Sequence, residues 1–256
     1  MPTRIAKKYP GPKRVLAQIK RLENGINRMK LAPATQLYRN AVLLALMSKA
    51  LTVGRAVCVL VENGLLAEAF GLSRTMVEIY FCVRYIGNKD SEIRATTYVE
   101  YQAKVRQEWG RLTAKYYPTH PAASFVLAPH ILKTAQKFAL KGAWTGHGGQ
   151  ARMMALEPDS HEPAEHEEIL GFDIDVMYFW TSQFVHATVA GLDSHGSIPG
   201  EPFRVRPAPW KERRYARLSL MNAVSSLVKI FILAFRAMNE DQPKEVDQAF
   251  NMLKKL

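Results

Sequence analysis

Proline placement constrains this chain more than any other feature. Fourteen prolines leave four proline-free stretches, residues 34–117, 130–157, 164–198 and 210–242. A proline inside a helix removes a backbone donor and collides with the preceding turn, so long helices are confined to these stretches. The first stretch is too long for one helix and needs interior breaks, which Gly64 and the Gly87-Asn88 pair supply. After the second break, Asp90 or Ser91 can cap a new helix that carries Glu92 in its first turn, where a carboxylate meets the positive end of the helix dipole. Helices are therefore expected at about 12–30, 35–63, 65–86, 91–116, 130–140, 173–190, 211–239 and 244–255.

Periodicity agrees with this division. Tyr98, Tyr101, Val105, Trp109, Leu112 and Tyr116 recur at intervals of three and four, and so do Leu218, Met221, Val224, Val228, Phe231 and Phe235. Each set is one face of a helix. No alternating strand pattern bounded by turn residues occurs, and no internal repeat. The expected fold is all-α, a single helical bundle of about seven or eight helices. Residues 35–256 form the bundle domain, and residues 1–34 hold a basic helix at its periphery. Three segments read as non-helical: 117–129, the glycine-rich 141–150 around Trp144 and His147, and 195–209. The last, with Arg204 and Arg206, is a long Pro/Gly-rich loop before the C-terminal helix pair.

The composition, 48% hydrophobic, excludes general disorder and supplies a core for one large domain. Cys58 and Cys82 are the only cysteines and both sit in apolar helical runs, so they read as buried thiols of a reducing compartment. No secretory leader is visible in the first thirty residues. Apolar runs such as Ala41–Leu46 and Ile230–Phe235 fall short of the ~20 residues of a membrane span. A cytoplasmic location without a membrane span is expected.

The net charge of +12 is uneven. Residues 1–30 carry nine Lys/Arg against the single acid Glu23, whereas residues 157–200 carry nine acids and no Lys or Arg. Excess positive charge can attract phosphate backbones, anionic lipid or an acidic partner, and it can equally serve solubility.

Two helices place polar residues where apolar ones belong. The helix at 65–86 is apolar nearly all round and so reads as buried, yet Arg74 and Glu78 lie four residues apart on one side, with Gly71, Phe81 and Tyr85 along the same stripe. Arginine preceding glutamate is the weaker order for such a pair, so local helix stability does not explain it. In the helix at 173–190, Tyr178, Ser182 and His186 form a second polar stripe among Phe179, Trp180, Phe184, Val185 and Val189. If the stripes face each other, they make one interior cluster. Such a cluster describes a binding or catalytic site, and it equally describes a network that locks the register of the bundle.

The series Arg74-x-x-x-Glu78, Tyr98, Trp144-x-Gly146 and Tyr178-x-x-x-Ser182-x-x-x-His186 resembles a bacterial all-helical family known only as a domain of unknown function. The resemblance spans about residues 35–235 and implies a helical bundle in which Arg74, Glu78, Trp144, Ser182 and His186 are shared positions. A looser likeness is to the HEPN helical domains, many of which are metal-independent RNases of toxin and phage-defence systems. It implies a homodimer and an RNase-like phosphodiesterase. The chain departs from the HEPN motif, since no histidine follows any arginine at five to seven residues. Arg74 and His186 would then supply the two roles from different helices, histidine as general base and arginine stabilising phosphate charge.

Other motifs are weaker. His161 and His166 are five apart with Pro163 between them, unlike the i, i+4 pair of a helical zinc site. Gly142–Gly149 lacks the Lys-Ser/Thr of a phosphate loop and more simply positions Trp144. Trp210, Arg213, Arg214 and Arg217 open a helix, where they could bind phosphate, stack a base or pair with the acidic 157–175 segment. No metal or cofactor is implied.

The sequence thus carries two functional expectations. In the first, the protein is of a bacterial conflict or defence type and acts on RNA or another phosphate-bearing ligand. His186 is then the base, Arg74 the charge stabiliser, Glu78 its orienter, and Ser182 and Tyr178 the supporting residues. In the second, it is a non-enzymatic module that binds a small anionic ligand or a partner protein.

Overall fold

A computed structural model describes residues 11–28, 37–121, 129–138, 178, 213–239 and 244–253. Among the described residues there are seven helices and no strand: α1 (Pro12–Asn27), α2 (Leu37–Glu62), α3 (Leu66–Asn88), α4 (Ser91–Tyr116), α5 (Pro129–Gln136), α6 (Arg213–Met238) and α7 (Lys244–Leu253). The expected helix at 173–190 lies outside them, apart from Tyr178.

The helix ends follow from local chemistry. Gly64 takes a φ of +75° between α2 and α3, a left-handed conformation that costs glycine little. Asn239 stops α6 at φ +55°, a region asparagine tolerates better than most residues. α1 and α5 stop short of their expected ends because the chain tightens there: Arg28 N–H donates to the Gly25 carbonyl at 3.2 Å and Phe138 N–H to that of Ala135 at 3.0 Å.

α3 lies at the centre, packed extensively against α6 and α2, which also touch each other. Its nearly continuous apolar surface explains this position, because no single neighbour could cover it. Phe81, Met76 and Ile86 of α3, Leu43 and Met47 of α2, and Phe231 and Phe235 of α6 are fully buried. Gly87 permits the close approach of α3 and α6, since a Cβ there would stand 3.0 Å from that of Ala237. The inner face of α6 differs from the periodic series named above. Leu218 and Met221 are exposed, while Leu220, Ala223, Leu227, Ile230 and Ala234 face inward with Phe231 and Phe235. α2 and α6 contain Tyr38–Glu62 and Ala216–Met238, each long and apolar enough to cross a membrane by length and composition. More than half of each apolar stretch is buried inside the bundle.

α1 lies at the edge of the bundle, against α2 and α7. It is nevertheless part of the core, with Val15, Ile19 and Leu22 no more than 1% exposed. Its cations occupy the opposite face: Lys13, Arg14, Lys20 and Arg21 are all exposed.

Glu92 does more than begin α4. Its carboxylate accepts the N–H groups of Tyr38 (3.1 Å) and Arg39 (3.0 Å), and so caps α2 from another helix. The Arg39 guanidinium is buried and donates to the Met238 carbonyl at the end of α6 (3.3 Å). Burial pushes Arg39 below the usual arginine range, and Glu92 opposes that shift. Glu92→Ala is expected to cost about 1–2 kcal/mol, as for loss of a helix cap. That corresponds to a fall of roughly 2–8 °C in Tm for a chain of this size. An unchanged melting curve would show that water serves the α2 terminus equally well.

Candidate functional site

The polar stripe of α3 meets Tyr178. Arg74 Nη2 donates to the Tyr178 hydroxyl at 2.8 Å and pairs with Glu78 Oε1 at 3.0 Å. The guanidinium also lies 4.7 Å from the centre of the Tyr178 ring, and that ring packs 6.2 Å from Phe81. One turn of α3 therefore presents cation, carboxylate and aromatic support together. Exposure shows how the site opens: the Arg74 side chain is 16% exposed and that of Glu78 44%. Solvent reaches the pair from the glutamate side.

The same face of α3 continues to Cys82 and Tyr85. Burial pushes the Cys82 thiol up to about 12, and the Glu78 carboxylate adds to the shift. Tyr98 of α4 is raised as well, by burial and then by Cys82. A thiol so raised stays protonated at neutral pH, so Cys82 supplies apolar lining rather than a nucleophile. Cys58, also raised to about 12 by burial, belongs to the core. Arg94 closes this end, its guanidinium 3.9 Å from the centre of the Tyr85 ring.

The other flank of α3 is fixed by a buried contact that the sequence reading missed. Asn222 Nδ2 donates to Ser73 Oγ at 2.9 Å, and Ser73 Oγ donates to the Phe70 carbonyl at 2.7 Å. Ser219, Asn222 and Ser226 are all buried on α6. Their recurrence at three and four residues inside an apolar helix was the available signal. This contact sets the register of α3 against α6 one residue before Arg74.

Among the expected site residues, the structure brings Arg74, Glu78 and Tyr178 together. Ser182, His186, Trp144 and Trp210 lie outside the described residues. Arg213 and Arg214 form the first turn of α6, and Arg217 is exposed one turn later. Among the described residues no three His, Cys, Asp or Glu side chains cluster as metal ligands.

A family model described as a family of unknown function, DUF5677, matches residues 40–201, and the chain belongs to that family. The matched span holds Arg74, Glu78, Trp144, Tyr178, Ser182 and His186, and the arginines of α6 fall beyond it. No curated protein and no solved structure matches the chain.

Proposed function

We propose that this DUF5677 member acts on RNA or another phosphate-bearing molecule at the Arg74–Tyr178 site, in a bacterial conflict or defence setting. The observation that supports the reading is the 2.8 Å bond from Arg74 to Tyr178, which ties the polar stripe of α3 to a residue more than a hundred positions later in sequence. In this reading His186 takes the proton of the attacking hydroxyl. Arg74 offsets charge on the phosphoryl oxygens while Glu78 holds the guanidinium in orientation, and Ser182 and Tyr178 support the pair. The overall basic charge of the chain favours an anionic substrate.

A second reading has its own support. The Arg74 guanidinium is already engaged by Glu78 and Tyr178, as in a network that fixes packing or senses a small anion. The two readings separate on His186→Ala. Wild type and variant would be compared for cleavage of mixed RNA in EDTA and for Tm, from the same preparations. Under the first reading the variant loses ~10²–10⁴-fold in rate, the usual worth of a general base, with Tm within a few degrees. A wild type that cleaves nothing, beside a variant whose Tm falls steeply, would assign the cluster to stability.

A further inference from the structure

We infer that the outer face of α1 is a docking surface for the phosphate backbone of RNA, on a different helix from the Arg74 site. Lys13, Arg14, Lys20 and Arg21 are all exposed there, and no acid is exposed anywhere along α1. The one acid of the helix, Glu23, pairs across to Arg55 of α2. Lys13 and Lys20, like Arg14 and Arg21, are seven residues apart. Two turns of helix bring each pair onto one side, about 10.5 Å apart, which is the span of roughly three nucleotides in a stacked strand. Ala17 falls between the two pairs and is exposed, and its small side chain lets a strand come close to the helix. Arg21 gives one of its guanidinium donors to Gln18 Oε1 at 3.3 Å, and an arginine has five.

Helix stability does not account for these cations. The first turn of α1 holds no acid, and Lys13 and Arg14 stand there instead, against the positive end of the helix dipole. The chemistry of the face selects its occupant. A basic amphipathic helix binds a bilayer by inserting its apolar side, and in α1 that side, Val15, Ile19 and Leu22, is enclosed in the core. A protein partner wants aromatic or large apolar anchors, and the outer face carries none. For the same reason it offers no ring on which a base could stack. Charge and hydrogen-bond donors remain, and these suit phosphates repeated along a strand, bound without regard to sequence. The choice of RNA rests on the substrate proposed for Arg74, whereas the phosphate chemistry rests on α1 itself.

The test is fluorescence anisotropy on the full chain with labelled 2′-O-methyl RNA, which has no free 2′-hydroxyl to attack its own backbone. Binding is then read whether or not the Arg74 site cleaves. Wild type is expected to bind oligouridine and a mixed sequence of equal length alike, with a Kd of roughly 1–100 μM near physiological salt. Lys13→Gln with Lys20→Gln should flatten the slope of log K against log salt by about 1.4, and adding Arg14→Gln and Arg21→Gln should bring the change to about 2.8. The fourfold variant should also bind at least ~10-fold more weakly at about 50 mM salt, and its Tm should not fall, since all four positions are exposed. Arg106→Gln with Lys115→Gln removes two charges from exposed positions of α4 and should leave the slope nearly unchanged. A wild type that does not bind would overturn the inference, as would an α4 pair that flattens the slope as much as the α1 pair. So would a marked preference for one sequence, or for DNA of the same length. Phosphatidylserine vesicles that bind more tightly than the oligonucleotides, and lose binding in the fourfold variant, would assign the face to a membrane and likewise overturn it. Binding through α1 by a chain that cleaves no RNA would uphold the face and fail the Arg74 reading alone.

Discussion

In an RNA cleavage assay, Arg74→Ala is expected to lose about 10²–10³ in kcat, the usual consequence of removing one donor that stabilises developing negative charge. Arg74→Lys should recover little of it. Lysine carries the charge as a point and cannot hold the Glu78 carboxylate and the Tyr178 hydroxyl from one planar group, as Arg74 does. Tyr178→Phe keeps the ring against Phe81 and removes only the acceptor, so a smaller loss is expected. Stability should change little in these variants, because Glu78 is nearly half exposed and water can take over its hydrogen bonds. Full activity in Arg74→Lys would sink the role given to the guanidinium. A steep fall in Tm for Arg74→Ala would favour the packing role instead.

Phe81→Ala carries the largest expected stability effect, about 3–5 kcal/mol. Phe81 is fully buried, packs at 5.5 Å from Tyr80 between ring centres, and supports Tyr178 from below. Its removal leaves a cavity in a core whose other large side chains, Phe231 and Met76 among them, are themselves enclosed. For a chain of this size the change corresponds to a fall of roughly 6–20 °C in Tm. Differential scanning calorimetry checks it, and a shift under 3 °C would mean that the core around α3 collapses into the space. Phe81→Leu should lose much less, because it retains most of the buried volume.

The sequence announced the helices clearly where breakers stood outside the periodic runs. Gly64, the Gly87-Asn88 pair and Pro243 mark boundaries that the structure keeps within a few residues, although Gly87 and Asn88 are themselves the last two residues of α3. Two things were not legible. Periodicity finds an apolar face but cannot tell how deeply it is covered: the α4 series from Tyr98 to Tyr116 is one continuous face, packed on the core at one end and about half exposed at the other. The α6 series from Leu218 to Phe235 began on the outer side for the same reason, because a wide apolar surface admits several stripes. Glu92 was read as serving its own helix, since a local rule cannot see that the α2 terminus lies beside it. For the site, Arg74 and Glu78 stood out as charges in an otherwise apolar helix. Asn222 and Ser73 did not, because small polar side chains inside helices are common and only the tertiary contact distinguishes them.

The central position of α3 has a consequence for synthesis on the ribosome. Its most extensive partner among the described helices, α6, is encoded some 125 residues later and ends at Met238. At about 5–20 residues per second, an apolar helix emerges roughly six to thirty seconds before the surface that covers it. During that interval α2, tied to α4 through Glu92, can shield only part of α3. The nascent chain therefore passes through a period in which its stickiest segment is half dressed, and a chaperone that holds apolar helices would find its substrate there.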